Sequence, residues 1–228
     1  MSADSLPPEL EDDIIAQIDA IDLVRGRPLL ISDADEVLLQ FCVGLERYLE
    51  TQGLWLDLQS YALTGNIKRR SDNIAVPTTE VPALLEAFFT SEASQLEAVS
   101  GASDALLALA DRVQIVVLTN VPGGQRHIRA ASLAEQGMPY PVIANKGLKG
   151  AAVKRLAARV EAPVFFLDDI PHNLASVAGA HDDATLIHFI ADKRLAKLIP
   201  PSKHSHFHTS DWNDARGFIE RHLDKLGH

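Results

Sequence analysis

The sequence predicts an α/β fold: a Rossmann-like parallel sheet core flanked by helices, with a small α-helical cap inserted after the first strand. Three observations lead there. Short apolar runs between Pro28 and Ile190 have strand length, and three of them stop abruptly at a polar pair. Runs of this kind, bounded by breakers, read as strands buried on both faces, as in parallel sheets. Segments with apolar residues at helical spacing lie between them. The first two runs are separated by about seventy-five residues, far more than the ~15 that a structureless connection spans.

The elements follow in chain order. Residues 8–24 carry Leu10, Ile14, Ile18 and Ile21 at helical spacing, with Glu11, Asp12 and Asp13 loading the first turn with negative charge, as the helix dipole favours. This is expected to be a packing or dimer-facing helix. Arg25-Gly26-Arg27-Pro28 ends it and leads into Leu29-Leu30-Ile31-Ser32, a strand that runs into Asp33-Ala34-Asp35-Glu36. Phe41, Leu45, Tyr48 and Leu49 mark an amphipathic helix stopped by Gly53. A mixed stretch from Trp55 to Ala75 follows, and then a helix opened by Pro82 with Leu84, Leu85, Phe88 and Phe89 as core residues. The surplus is read as an inserted helical subdomain, giving a core of residues 1–39 and 99–228 and a cap of residues 40–98.

Ser103 is expected to cap a helix bearing Leu106, Leu107 and Ala110, which feeds the strand Gln114 to Leu118 and its polar end Thr119-Asn120. Pro141 to Ala144 is a short strand. Asn145-Lys146-Gly147-Leu148-Lys149-Gly150 then opens a helix with Val153, Leu156, Ala157 and Val160 on its apolar face. The strand Pro163 to Leu167 stops at Asp168-Asp169, with Asn173 close behind. Thr185 to Ile190 is a last strand before a histidine-bearing stretch and a terminal helix around Trp212 to Leu223.

Composition narrows the function. Of 228 residues 46% are hydrophobic and 23% charged, ordinary values for a soluble globular protein. A net charge of -10 withholds the basic surface that nucleic acid or an anionic membrane requires. Cys42 is the only cysteine, so no internal disulfide forms, and a cytoplasmic location is the simplest. Met1 to Ser5 lacks the basic and apolar regions of a signal peptide, and no apolar run reaches the ~20 residues that span a bilayer.

Ligands of open α/β sheets bind beyond the carboxyl ends of the strands, where Asp33, Asp35, Thr119, Asn120, Asp168 and Asp169 fall. Two carboxylates about 4 Å apart repel by roughly 4 kcal/mol at an effective dielectric of about 20, so a cation is expected among them. Two acidic pairs and a lysine suit a hard divalent cation with oxygen ligands, and Mg²⁺ is commonly held by one or two carboxylates together with substrate phosphate.

The set Asp33-x-Asp35, Thr119-Asn120, Lys149-Gly150 and Asp168-Asp169 with Asn173 resembles, in order and spacing, the four motifs of the haloacid dehalogenase-like (HAD) superfamily of phosphoryl-transfer enzymes. The resemblance covers Pro28 to Ile190, and the inserted segment resembles the family's cap of the first type. It implies that Asp33 attacks phosphorus and forms an aspartyl-phosphate, and that Asp35, with a raised pKa, is the acid and base. It implies Mg²⁺ on Asp33, the Asp35 backbone carbonyl and Asp169, with Asp168 as a ligand or a support, and Asn173 orienting these acids. Thr119 and the Asn120 N–H would grip phosphoryl oxygens, and Lys149 would offset the remaining negative charge. The implied substrate is a small phosphorylated metabolite; a homodimer is compatible with the chain. A phosphomutase on the same core and a non-catalytic phosphometabolite-binding protein are the alternatives; a receiver domain is set aside, since its acidic pair sits near the start and its phospho-accepting Asp comes alone later.

Two positions are ambiguous. Glu36 stands where the family often has glycine, and Lys146 competes with Lys149, which is favoured because Gly150 and a helix follow it directly. His204, His206 and His208 alternate as on one strand face, but without nearby acids or cysteines they read as an exposed loop or edge strand rather than a metal site. Lys68-Arg69-Arg70 reads as a solvated face, with a role in greeting an anion as the alternative. His172 is a candidate neighbour of the acidic pair by position alone.

Overall fold

The computed structural model describes residues 10–92 and 94–228. The first nine residues, which carry the signal-peptide expectation and the start of the 8–24 helix, lie outside the described residues. In chain order the elements are α1 (Asp12–Asp19), β1 (Leu29–Ser32), α2 (Phe41–Thr51), β2 (Leu54–Leu56), β3 (Ile67–Arg69), α3 (Val81–Glu92), α4 (Ala102–Leu109) and β4 (Gln114–Thr119). They continue with α5 (Arg126–Glu135), β5 (Val142–Ala144), α6 (Gly150–Val160), β6 (Val164–Asp168), α7 (Pro171–Ala180), β7 (Thr185–Phe189), β8 (Phe207–Thr209) and α8 (Trp212–Leu226).

The apolar runs become the middle of a six-stranded parallel sheet in the order β5-β4-β1-β6-β7-β8. A strand alternates its side chains between two faces, and here both faces are covered. Leu30, Val117, Phe165, Leu167 and Ile187 enter one core with Leu106, Leu133, Trp212 and Ile219. Their neighbours Leu29, Ile31, Val116, Leu118, Phe166 and Leu186 enter the other, with Ile14, Ile18, Val153, Leu156 and Val177. Each such fully buried side chain contributes roughly 1.5–3 kcal/mol. The sheet is therefore a sandwich filling, with α4 and α8 on one side and α1, α6 and α7 on the other.

Between β1 and β4 the chain leaves the sheet and returns beside itself: Leu39 bridges Ala98, and the Gln40 N–H donates to the Glu97 carbonyl at 2.9 Å. The sequence suggests a helical insertion, but the excursion is not wholly helical. Between α2 and α3 it contains the antiparallel pair β2–β3, with Trp55 opposite Lys68 and Leu56 opposite Ile67. Aromatic and branched residues at these positions suit a ribbon, and the Lys68 ammonium lies 5.8 Å from the Trp55 ring centroid.

Other departures are local. Helix α1 stops at Asp19, shorter than the 8–24 span, and packs its Ile14 and Ile18 under α6 and β5. Ser103 does not cap α4; Gly101 holds that place at φ +79°, and the Ser103 hydroxyl donates to Gly137 instead. The stripe facing the core is Ala102, Ala105, Leu106 and Leu109, which leaves Leu107 69% exposed. Helix α5 follows Gly124 without an N-cap side chain to announce it. The histidine-bearing stretch supplies the edge strand β8.

Two features fix the loop after β1. The Trp212 indole N–H of α8 donates to the Val37 carbonyl at 2.8 Å, fully buried. The Ala34 carbonyl accepts from the N–H groups of Leu38 and Leu39 at 2.8 and 2.9 Å, folding residues 34–39 into a tight hook.

Candidate active site

Strand β1 lies between β4 and β6, so the chain reverses its direction of travel across the sheet at β1, the kind of place where α/β folds open a crevice. The carboxyl ends of these three strands carry the polar residues singled out in the sequence. The Asp33 N–H continues the ladder to Leu167 at 2.9 Å, which projects the Asp33 side chain beyond the sheet.

Lys149 joins the strands. Its ammonium lies 2.8 Å from Asp33 Oδ1 and 2.7 Å from Asp168 Oδ2, with only 1% of the side chain exposed. Burial works to lower its pKa, but Asp168 and Asp33 outweigh that and hold it above the ordinary lysine value. Lys146, by contrast, is on the surface, 2.7 Å from Glu11. Lys149 can reach inward because of Gly150: a Cβ there would stand 2.4 Å from the Ser176 carbonyl oxygen, so only glycine allows α6 to approach α7 this closely. The Gly150 N–H donates to the Ser176 hydroxyl at 3.1 Å.

Asp168 is saturated. Its two oxygens accept from the Ile170 N–H at 2.8 Å, from the Asn173 amide at 3.0 and 3.1 Å and from Lys149. Asp169 is more open: one oxygen accepts from the Tyr61 hydroxyl, and no hydrogen bond to the other is found among the described residues. Burial raises the pKa of both acids, with Lys149 pulling Asp168 back and Asp33 adding to the rise in each. Thr119 is fully buried at the end of β4, and its hydroxyl has no partner among the described residues. The Asn120 amide donates to Gly147 and its carbonyl accepts from Asn145.

Asp33, Asp168 and Asp169 each offer an oxygen within 4.8 Å of the others. With all three carboxylates ionised, as a bound cation would keep them, one ammonium leaves two negative charges, and an all-oxygen set of that charge fits a hard divalent cation. With Asp168 already engaged, the free oxygens of Asp33 and Asp169 are the ones available to a metal. Asp35 is not one of the converging carboxylates.

Three residues of the site do not stand out in the sequence. Arg129 of α5, wholly buried, sets its guanidinium 3.0 Å from Asp35 Oδ1 and 5.9 Å from the Phe89 ring centroid. Burial raises the Asp35 pKa, Arg129 lowers it and Asp33 raises it again, with a net upward shift. Tyr61, from the excursion after β1, donates to both the side chain and the backbone carbonyl of Asp169; burial and the neighbouring Asp169 push its pKa up, so it stays a donor. His188 of β7 accepts the Ser202 N–H at Nδ1, leaving Nε2–H to donate to the same Asp169 carbonyl at 2.9 Å. A histidine inside the otherwise apolar run Leu186 to Ile190 is the one available signal.

Glu36 resolves the question of the missing glycine. Its backbone takes the left-handed conformation itself, φ +59°, a region costly for residues with a Cβ. Its carboxylate accepts the Cys42 N–H at 2.6 Å and the Asp192 N–H at 2.9 Å, pinning the start of α2 to the loop after β7.

Above these residues lies a cavity of about 260 Å³ between the strand ends and the excursion. Leu85 and Phe89, read as core residues from the sequence, line it, while Phe88 is the buried one of the four residues Leu84, Leu85, Phe88 and Phe89. Lys68, Arg69 and Arg70 pair with Asp57, Asp72 and Glu50 instead of facing it. His172 is exposed and does not line it. The histidines 204, 206 and 208 form no metal-holding group among the described residues; the His206 ring accepts the Leu186 N–H at 2.9 Å.

The sequence matches no family model, and no curated protein matches it. Solved structures do. A conserved haloacid dehalogenase-like protein of unknown function from Agrobacterium tumefaciens aligns over 87% of this chain and 100% of its own, with a TM-score of 0.60 and 14% identity. A HAD family hydrolase from Deinococcus radiodurans, solved with bound phosphate and sodium, aligns over 88% and 97% with a TM-score of 0.57 and 17% identity. A protein from Haemophilus somnus, predicted to be a phosphoglycolate phosphatase, aligns over 85% and 98% with a TM-score of 0.58 and 12% identity. At such identities the likeness is one of fold, and the fold is that of haloacid dehalogenase-like proteins. No described helix is long and apolar enough to cross a membrane.

Proposed function

We propose that this protein is a Mg²⁺-dependent phosphatase that hydrolyses a small phosphate monoester through an aspartyl-phosphate. The observation that carries the reading is the bridge of Lys149 between Asp33 and Asp168, with Asp169 beside them, at the ends of strands far apart in sequence. Buried charge of this density is expensive without a function or a full set of partners, and here Asp33 and Asp169 line the cavity, each with one carboxylate oxygen that has no hydrogen-bond partner among the described residues.

A carboxylate oxygen of Asp33 attacks phosphorus; the bond from phosphorus to the leaving oxygen breaks, and Asp35 gives that oxygen its proton. Water then attacks the phosphorus of the aspartyl-phosphate, Asp35 takes its proton, and the Asp33 carboxylate leaves with inorganic phosphate released. The burial that raises the Asp35 pKa supports its holding a proton for the first step, and Arg129 holds the carboxyl at the site's edge. The unpartnered hydroxyl of Thr119 suits a phosphoryl oxygen, and Lys149 offsets charge on nucleophile and phosphate. Asp33, Asp169 and the Asp35 carbonyl would hold the cation, which supplies positive charge against the phosphoryl group when bound.

The test is a panel of phosphate monoesters, with and without Mg²⁺, run for the parent and for Asp33→Asn. The parent is expected to release inorganic phosphate only with the metal, and the variant to release essentially none. A variant as fast as the parent would remove Asp33 from the chemistry. Phosphate moved within the substrate instead of released would make the protein a mutase, and no turnover on a broad panel would leave a binding protein.

A further inference from the structure

The part of the cavity that would receive the leaving group is almost devoid of hydrogen-bonding capacity. Phe41 and Leu45 of α2, Leu56 of β2, Leu63, and Leu85 and Phe89 of α3 make its walls. The polar lining groups belong to the floor already described, apart from Glu36, Ser60 and Tyr61. Both Glu36 oxygens are occupied by backbone N–H groups, and the Tyr61 hydroxyl is spent on Asp169. Ser60 accepts from the Asn66 amide. The cations of the excursion, Arg47, Lys68, Arg69 and Arg70, are paired with Glu97, Asp57, Asp72 and Glu50 and do not line the cavity. Cys42, also in the lining, is a buried thiol whose pKa is pushed up, so it offers no charge.

We infer that the alcohol released by this site is apolar, a short alkyl or a single aromatic ring, and that sugar and polyol phosphates are poor substrates. The inference rests on the phosphatase reading for its chemistry but on the cavity wall for its selectivity. A cavity of about 150 Å³ lined by aliphatic and aromatic side chains is enough to hold benzene, so about 260 Å³ accommodates a phosphoryl group and one ring or a four-carbon chain. A sugar or polyol would bring several hydroxyls to walls that, among the described residues, return side-chain hydrogen bonds only at Ser60. Each hydroxyl buried without a partner lowers affinity roughly tenfold. The walls also gather aromatic faces, with Phe41 and Phe89 centroids 5.9 Å apart, and such faces pack on apolar groups.

The discriminating pair is n-butyl phosphate against glycerol 3-phosphate, which are similar in size and leaving-group reactivity and differ in two hydroxyls set against one carbon. With saturating Mg²⁺, kcat/KM of the full-length protein is expected to favour butyl phosphate by at least about tenfold. Calorimetric titration of Asp33→Asn, which keeps the ester intact, should give the same order of affinity. Leu85→Asn, which puts an amide into the wall, should narrow the preference severalfold. Equal or better turnover of glycerol 3-phosphate would overturn the inference while leaving the phosphatase reading standing. If neither ester is hydrolysed but butyl phosphate still binds the more tightly, the ligand class holds and the phosphatase reading fails. Binding of neither ester, or tighter binding of glycerol 3-phosphate, overturns the ligand class outright.

Discussion

Replacing Glu36 by glycine sets two opposed effects against each other, and the structure says which wins. Glycine removes the strain of φ +59°, which is worth about 1–2 kcal/mol. It also strips the acceptors from the Cys42 and Asp192 N–H groups, which meet Glu36 where only 3% of that residue is exposed. A buried donor left unmet costs about 1–3 kcal/mol, and there are two. The net is a loss of about 2–3 kcal/mol under conditions where Glu36 is protonated, or roughly 4–12 °C in Tm for a chain of this size. The pH dependence sharpens the test. Burial first, and the neighbouring Asp192 and Asp35 after it, raise the Glu36 pKa from 4.5 to about 7, moderated by the two N–H groups. Between those values the folded chain keeps a proton that the unfolded chain has released. Parental stability therefore falls as pH rises through this window, by up to about 3 kcal/mol at about 1.4 kcal/mol per unit. Glu36→Gly lacks that slope, so the gap between the proteins should be widest near pH 5 and nearly closed by pH 8. Urea unfolding at several pH values between those limits reads it directly. A variant as stable as the parent at pH 5, or a gap that grows with pH, would refute the reasoning.

Two further substitutions probe the site from different sides. Lys149→Met fits the same volume without charge and leaves Asp33 and Asp168 facing each other in the interior; we expect about 3–5 kcal/mol less stability and a hundredfold to thousandfold slower turnover, read by denaturation and by phosphate release. Gly150→Ala places a methyl group 2.4 Å from the Ser176 carbonyl, which should cost roughly 1–3 kcal/mol as α6 and α7 are forced apart; an unchanged Tm would mean that the helices separate freely.

The acids and the hydroxyl were legible because each sits at the end of an apolar run, where the alternation of core and strand leaves a polar side chain nowhere to go but the crevice. Lys149 could be preferred over Lys146 because a helix follows it at once, and the buried contact to Asp33 agrees with that preference. Arg129 was not legible. In Arg126-His127-Ile128-Arg129 two arginines share a helix turn, and only the packing of α5 against the sheet decides that one of them is buried. Tyr61 lies in an irregular stretch, and its partner is 108 residues away, a distance over which no local pattern operates. The strand pair β2–β3 escaped because three-residue strands are too short to show a period of two. Glu36 was noticed as an oddity, but its left-handed backbone and its two N–H partners belong to tertiary structure.

The indole of Trp212 closes on the Val37 carbonyl across 175 residues of chain, and β1 needs β4 on one side and β6 on the other. A ribosome adds roughly 5–20 residues per second, so the loop bearing Asp35 leaves the exit tunnel on the order of ten seconds before the helix that steadies it. During that interval the nascent protein has the residues of the acidic hook but not those of the clasp. The clasp on this loop is thus acquired late in synthesis, and a chain stalled before Trp212 would carry every acid and the lysine of the candidate site without the indole that steadies the loop after β1.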